Sequence, residues 1–289
     1  ISERSGIPAM ITHFKIRGKK NWGRSAALIR RIDEARAAGI DVTMAQYPYT
    51  AGSTFLHVVI PPWYHSRGVD GLLRALREER GAIKHDLDTR MDWENFSQSV
   101  GWEKIFVSSV VSEANQPCVG KSISQIAAER GHADPADAAF DLLVEEQLAV
   151  GMISFGLDEA DITAIMRHPA VSFITDGLMS GRPHPRAYAT YPRILGRYVR
   201  EQGVLSLEEA VRKMTSLPAR KIRLRNKGVI AEGYDADLVV FDPDTVIDKN
   251  SYDDPRVHPA GIAHVLVNGV FVVEDAALTG ARPGRVIRD

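Results

Sequence analysis

The fold is decided by residues 9–44, which read AMITHFKIRGKKNWGRSAALIRRIDEARAAGIDVTM. The apolar run at 9–12 predicts a short buried strand that ends at His13. After a polar loop that contains glycine, residues 24–38 carry apolar side chains at helical spacing, and a second apolar run covers Ile40 to Met44. This order of strand, loop, helix and strand is typical of a parallel α/β sheet.

The same alternation continues through most of the chain. Helical patterns and strand-like runs follow each other, with helices predicted at 70–80, 122–130, 135–146, 158–167, 190–201 and 206–214, and strands at 106–111, 152–155 and 171–174. Residues 85–105 are polar and predict irregular structure. After about residue 226 short alternating runs replace the helices, with a tight turn predicted at Asn268-Gly269. The sequence therefore predicts a large α/β region followed by a small β module.

Composition narrows the function classes. The 289 residues include 36 Lys and Arg against 37 Asp and Glu, so the net charge is −1 and lacks the basic surplus typical of nucleic-acid binders. The longest apolar runs are strand-sized, which predicts no membrane segment. Cys118 is the one cysteine and forms no intramolecular disulfide, which suits a reducing compartment and predicts a cytoplasmic protein. A small molecule is the expected partner.

Polar residues that are capable of catalysis or metal binding follow three of the predicted strands. His13 and Lys15 end the first strand, the segment Tyr47 to Thr54 follows the second, and Asp176 follows the last in Thr175-Asp176-Gly177. Catalytic groups of parallel α/β folds lie at these carboxyl ends. An imidazole is a good zinc ligand, and a carboxylate can bind metal and act as a general base. Each also has a structural interpretation: a hydrogen-bonded histidine, a loop packed by its own aromatic rings, and an ordinary Asp-Gly turn.

Common catalytic signatures are missing from the chain. It contains no HExxH, CxxC, GxSxG, P-loop or GxGxxG pattern, so these residues give no motif support for a zinc peptidase, a serine hydrolase or a nucleotide-binding protein. Two arginines, Arg182 and Arg186, flank His184 after the Asp176 strand end, and an arginine there can grip a carboxylate at two points.

Taken in order, these segments resemble the N-acyl-D-amino-acid deacylases, or D-aminoacylases, of the amidohydrolase superfamily. The matching segments cover nearly the whole chain: Ile11 to Lys15, Asn21 to Ser25, Tyr47 to Thr54, Thr175 to Gly177, His184 to Arg186, Gly233 to Asp242, Val267 to Gly269 and Thr279 to Gly284. The tail segment of the Gly-Ala-Asp-Leu type, at Gly233 to Asp242, indicates only the superfamily. The Tyr-Pro-Tyr loop together with the His-Pro-Arg loop is more specific.

The resemblance implies a distorted (β/α)₈ barrel with zinc at its mouth and a small β domain. It implies that His13 is a zinc ligand at the end of the fifth barrel strand. It also implies that Asp176, at the end of the eighth, is the metal-associated catalytic acid and base. The substrate, chiefly its carboxylate, is expected to contact Lys15, Tyr47, Ser53 and Arg186. The implied reaction is hydrolysis of the amide bond of N-acyl-D-amino acids to a D-amino acid and a carboxylate.

The sequence departs from the family pattern at its start. The family's His-x-His pair, its metal-binding cysteine and a further histidine before His13 are not present, and Cys118 falls at the wrong place to substitute. We therefore expect the C-terminal half of the barrel, strands 5–8, in residues 1–226, and the C-terminal part of the β domain in residues 227–289. On this expectation further zinc ligands lie in a missing N-terminal region, and this chain alone is inactive.

Two alternatives remain open at this point. The chain is a non-catalytic remnant or interaction module if the missing ligands are not supplied. The second alternative is a related cyclic-amide hydrolase, such as a dihydropyrimidinase or dihydroorotase. The Tyr-Pro-Tyr and His-Pro-Arg loops disfavour it.

Overall fold

The computed structural model of the chain describes residues 1–287, and the ten strands among these residues form three separate sheets. The strands are β1 Ala9–Ile11, β2 Val42–Gln46, β3 Ala51–Phe55, β4 Ile105–Ser109, β5 Gly151–Phe155, β6 Val171–Phe173, β7 Leu238–Phe241, β8 Ile262–Val267, β9 Val270–Glu274 and β10 Ala277–Leu278. The helices are α1 Ser2–Ser5, α2 Ser25–Ala37, α3 Pro62–His65, α4 Gly68–Glu78, α5 Arg80–Thr89, α6 Phe96–Val100, α7 Ile123–Arg130, α8 Pro135–Glu145, α9 Glu159–Met166, α10 Arg186–Arg193, α11 Leu207–Met214 and α12 Ser216–Lys221. A π-helical segment, Ile194–Glu201, continues α10.

The first sheet is parallel, with the order β1-β2-β6. Helix α2 returns the chain from β1 to β2, as the periodicity of residues 24–38 predicts. Every residue of the central strand β2 is buried, as is typical of a parallel strand covered on both faces. Because parallel strands end at the same edge, the segments after β1, β2 and β6 meet there. This edge holds the candidate site.

The second sheet is antiparallel, with the order β3-β5-β4. It lies beside a hydrophobic core that helices α4, α5, α7 and α8 share. The prediction of barrel strands 5–8 needs four parallel strands from His13 to Asp176, and the described residues contain three in the parallel sheet. The strands predicted at 106–111 and 152–155 correspond to β4 and β5, which pair antiparallel with each other, and β5 also pairs antiparallel with β3.

Two local predictions in this region are wrong. The segment at 47–54, expected as a loop, contains most of β3, because its backbone pairs with β5 along the whole of Ala51–Phe55. The stretch 85–105, expected to be irregular, contains the end of α5 and all of α6. Ile83 and Leu87 of α5 are buried in the core, and tertiary packing of this kind outweighs a weak local pattern.

The third sheet forms the C-terminal module, with the antiparallel order β10-β9-β8-β7. The predicted turn at Asn268-Gly269 is confirmed, with φ of 49° and 78° at the two residues. None of the residues in these four strands is fully buried. Over residues 1–287, no helix combines the length and the apolarity needed to cross a bilayer.

Candidate active site

The strand ends bring His13, Tyr47 and Asp176 to one edge of the parallel sheet. His13 lies in a turn directly after β1, and Tyr47 is the first residue after β2. Asp176 lies three residues beyond β6. His13 and Asp176 both have positive φ, 42° and 48°, a conformation that is uncommon for residues other than glycine. Such backbone geometry occurs often where a functional side chain must be aimed away from the regular strand.

Arg186 is the centre of the site. Its side chain is 1% exposed, and its Nη2 lies 3.0 Å from Oδ2 of Asp176, whose side chain is 36% exposed. The same Nη2 donates a hydrogen bond of 3.1 Å to the carbonyl oxygen of Ser53. Among the described residues, Nε and Nη1 of Arg186 are buried and have no hydrogen-bond partner. The guanidinium therefore keeps donors free for a further acceptor.

Tyr47 forms an aromatic platform under two cations. Its ring is buried, with the guanidinium carbon of Arg186 4.4 Å and Nζ of Lys15 5.7 Å from the ring centroid. Cations at these distances are attracted by the negative face of the ring. Burial raises the pKa of Tyr47, so its hydroxyl stays protonated and can act as a hydrogen-bond donor.

Lys15 connects this platform to His13. Its Nζ lies 2.9 Å from Nδ1 of His13 and 2.9 Å from the carbonyl oxygen of the same residue. Burial, together with the nearby charge of Arg17 and against the opposing charge of Asp176, lowers the pKa of Lys15 to about 8. Lys15 therefore supplies a second positive charge between His13 and Arg186.

His184 positions the arginine rather than binding anything itself. Its Nδ1 accepts a hydrogen bond of 3.0 Å from the backbone N–H of Arg186, so Nε2 carries the proton and donates to the carbonyl oxygen of Ala51 at 3.0 Å. Burial, together with the charge of Arg186, holds the pKa of His184 well below its usual range. The sequence suggested a cationic Arg-Pro-His-Pro-Arg segment, but the buried histidine within it is neutral.

The loop between Asp176 and Arg186 is fastened at its tip. The backbone N–H of Arg182 donates to the carbonyl oxygen of Ser108 in β4 at 2.7 Å, and its Nη2 pairs with Asp253 at 2.5 Å. A Cβ on Gly120 would lie 2.1 Å from Nη1 of Arg182, so this glycine makes room for the arginine. The second sheet and the segment before β8 thus hold the loop that carries both site residues.

Two side chains of this cluster are of a type that binds a metal ion. His13 and Asp176 have the right chemistry, imidazole and carboxylate, but a catalytic zinc ion usually has three protein ligands. The described residues contain no group of three or more His, Cys, Asp or Glu side chains that could hold a metal. Lys15 and Arg186 also lie against the two donors. The described residues of this chain do not make a complete metal site.

The structure brings all six predicted site residues into one connected cluster. Contacts run from His13 to Lys15, over Tyr47 to Arg186, and from there to Asp176 and Ser53. Ser53 takes part through its carbonyl oxygen, which accepts a hydrogen bond from Arg186. Tyr252, which packs on His184 with ring centroids 5.1 Å apart, is an addition for which the sequence carried no signal.

A carboxylate, an imidazole and two cations lie together at the carboxyl edge of a parallel sheet, which is where the catalytic groups of α/β enzymes lie. The chain belongs to the amidohydrolase family, whose model matches residues 116–273. The resemblance drawn from the sequence motifs is confirmed by relatives and by solved structures.

An N-acyl-D-glutamate deacylase of Alcaligenes xylosoxydans xylosoxydans is 38% identical over 289 residues, which are 100% of this chain and 50% of that protein. A D-aminoacylase of the same organism is 36% identical over 288 residues, 99% of this chain and 50% of that one. The solved N-acyl-D-glutamate deacylase of Bordetella bronchiseptica, complexed with zinc and a phosphonate mimic of the reaction's tetrahedral intermediate, matches with a TM-score of 0.79 and 34% identity. It aligns with 100% of this chain and 51% of its own. The α/β metal-hydrolase fold is thus supported, and the chain spans about half the length of these relatives.

Proposed function

We propose that the protein containing this chain is a zinc-dependent amidohydrolase that cleaves N-acyl-D-amino acids into a D-amino acid and a carboxylate. The observation that carries the proposal is Arg186, buried at the strand ends with two unpartnered N–H groups. Similarity to N-acyl-D-amino-acid deacylases supplies the substrate class and the preference for the D form.

Arg186 and Lys15 bind the carboxylate of the substrate in this proposal. Buried donors without partners are rare in folded proteins, and a carboxylate can accept a hydrogen bond from Nη1 of Arg186 beside the occupied Nη2. In an N-acyl amino acid the carboxylate lies one carbon from the amide nitrogen. Binding it at Arg186 therefore brings the amide to Asp176, which lies 3.0 Å from the same guanidinium.

Asp176 is the general base and then the general acid. It takes a proton from the attacking water and returns it to the leaving amine nitrogen, so the C–N bond breaks without an unstable amide anion. Tyr47, whose phenol stays protonated, and Ser53 complete the substrate-binding surface. Hydrolysis then yields one carboxylate and one free amino acid.

Zinc is the expected cofactor of the whole protein, with His13 and Asp176 as two of its ligands. Because these are too few, the proposal requires further ligands from outside the 289 residues. We accordingly assign residues 1–226 to the C-terminal half of the barrel and residues 227–289 to part of a small β domain. The lone Cys118 supports a cytoplasmic location.

Asp176→Asn in the longer protein tests the proposal. We expect zinc-dependent release of D-methionine from N-acetyl-D-methionine, with kcat about 10²- to 10⁴-fold lower in the variant. Asp244→Asn, which changes an exposed carboxylate of the C-terminal module, is the matched control and keeps full activity. Unaltered turnover in Asp176→Asn would refute its role. Turnover of a cyclic amide such as dihydrouracil in place of N-acetyl-D-methionine would favour the cyclic-amide hydrolases.

A second candidate is that this chain alone is not catalytic, which the pair of donors favours. Metal analysis of the purified 289-residue chain distinguishes a chain that is not catalytic alone from one that binds zinc by itself. Two ligands hold zinc poorly, so we expect the metal to be lost on dialysis. One tightly bound zinc ion per chain would contradict this second candidate.

A further inference from the structure

A cationic cavity of about 350 Å³ lies beside the candidate active site. It is formed between the segment after β1 and one face of helix α2. Four of the residues that line it are cationic, Lys15, Arg17, Arg24 and Arg31, and the others are Ile16, Asn21, Ala27 and Leu28. Lys15 is common to the cavity and the candidate active site, whereas the other lining residues belong to the cavity alone.

Arg17 is the innermost cation of the cavity. Its Nη2 donates to Oγ of Ser154 at 2.8 Å, and its guanidinium carbon lies 3.4 Å from the ring centroid of Phe96. Its Nε is buried and has no hydrogen-bond partner among the described residues. Glu94, the nearest carboxylate, is 3.8 Å from Nε, beyond hydrogen-bond distance, and its side chain is 67% exposed. Burial lowers the pKa of Arg17 to about 10, which is the expected effect when a guanidinium lacks a close anion.

Arg24, directly before helix α2, and Arg31, within it, are the outer cations. Arg24, Ala27, Leu28 and Arg31 are spaced three and four residues apart, so they share one helix face. Arg24 has only a 3.4 Å contact with Asn21, and Arg31 has no ion pair within residues 1–287. No carboxylate lines the cavity among the described residues, and Glu94, the carboxylate nearest to Arg17, is mostly exposed, so the four positive charges are only partly compensated.

We propose that this cavity binds a small, doubly charged organic anion, either a phosphate monoester or a dicarboxylate. Guanidinium groups bind both kinds of oxyanion through paired N–H donors. Two negative charges offset four converging cations better than one. The volume exceeds that of a bare phosphate ion, and the apolar wall of Ile16, Ala27 and Leu28 fits a short carbon body.

Isothermal titration calorimetry on the 289-residue chain tests the site with glycerol 3-phosphate and with succinate as probes, at constant ionic strength. We expect one saturable site for at least one of them, with acetate and chloride much weaker. The double variant R24Q/R31Q changes two exposed side chains and should weaken binding about tenfold or more, because each charged hydrogen bond contributes substantially. Which probe binds tighter identifies the phosphate or the dicarboxylate class.

The control is R74Q/R77Q, which removes the same charge from an exposed face of α4. It should leave binding unchanged. An equal loss in both double variants would mean general charge attraction and would overturn the site, as would the lack of any saturable binding. Probe binding that Arg186→Lys abolishes and R24Q/R31Q leaves intact would place the anion at Arg186 and would also overturn the site. The test needs neither zinc nor catalysis, so its outcome is independent of the proposed function.

Discussion

Arg186 is a buried cation that the protein holds with two oxygens and an aromatic face. A buried charge is costly unless it is paired, and the partial pairing by Asp176 and the Ser53 carbonyl leaves capacity for one more anion. The neutral His184 fixes its backbone from behind. A site that binds carboxylates needs a guanidinium that is held in a fixed orientation and has N–H donors without partners.

Arg186→Lys should therefore separate charge from geometry. Lysine keeps the positive charge but lacks the two-pronged fork, so we expect KM for N-acetyl-D-methionine to rise about 10- to 100-fold in the longer protein. The effect on kcat should be smaller. Arg212→Lys, which alters an arginine paired with Glu209 at 2.6 Å, is the control for a general loss of ion pairing. A KM that does not change would exclude Arg186 from carboxylate binding.

Single residues were largely predictable from the sequence because their chemistry is local. His13 and Asp176 stand immediately beyond apolar runs, where a polar side chain is recognisable. The role of Ser53 was not predictable in this way, because its contribution is a carbonyl oxygen that any residue could offer. The tautomer of His184 depends on two backbone groups that approach it only in the folded chain.

At the scale of elements, the fastened loop between Asp176 and Arg186 leads to a prediction about Gly120. Gly120→Ala introduces a Cβ into the space occupied by Nη1 of Arg182. We expect the guanidinium of Arg182 to move away and its ion pair with Asp253 to weaken, which loosens the loop around the backbone N–H of Arg182 that bonds to Ser108. Hydrogen exchange of this amide should then accelerate several-fold, because one of the contacts that hold the loop is weakened.

Gly131→Ala is the matched control for this experiment. Gly131 also has a positive φ, 75° against 88° at Gly120, but a Cβ there meets no atom within 4 Å. Both variants share the backbone strain of alanine in the left-handed region, and only one should free the loop. Equal exchange of the Arg182 amide in the two variants would show that the close contact does not fasten it.

Glu146, at the end of α8, predicts a pH dependence of stability. Burial alone would raise its pKa, but hydrogen bonds from Ser112 and Asn115 and from the backbone N–H of Val111 lower the pKa to about 2. Because the folded pKa lies below the ordinary value of 4.5, the stabilisation is present above pH 4.5 and is lost as the pH falls towards 2.

Glu146→Gln should accordingly lower Tm at pH 6, and the difference from the parent should shrink as the pH approaches 3. Thermal melts followed by circular dichroism measure this. Glu232→Gln, at an exposed position, should show no such pH-dependent difference. A constant Tm gap for Glu146→Gln from pH 6 to pH 3 would mean that the ionised carboxylate does not stabilise the fold.

At the scale of the whole molecule, the parallel sheet has an open edge. Strand β1 pairs only with β2 among the strands of residues 1–287, and Ile11 at its end is 41% exposed. Unpaired edge groups beside apolar side chains favour association with another copy. We expect the purified 289-residue chain to form concentration-dependent oligomers in size-exclusion chromatography with light scattering.

Ile11→Lys should reduce this association, because a charge on an edge strand opposes strand pairing. Val69→Lys is the control, since Val69 is also exposed, at 60%, but lies on α4. A monodisperse monomer over a wide range of concentration would contradict the prediction. Equal suppression by both variants would point to general charge repulsion rather than to the strand edge.

Motif order and hydrophobic periodicity predicted the α/β class and the family resemblance, and the resemblance in turn implied the residues of the candidate site. These signals act over a few residues, so they are written into the chain locally. The antiparallel pairing of β3, β4 and β5, and the contact of Arg186 with Ser53 across 133 positions, were decided by folding. Such contacts depend on which distant segments pack together. A short stretch of sequence does not specify the distant segment that it will contact.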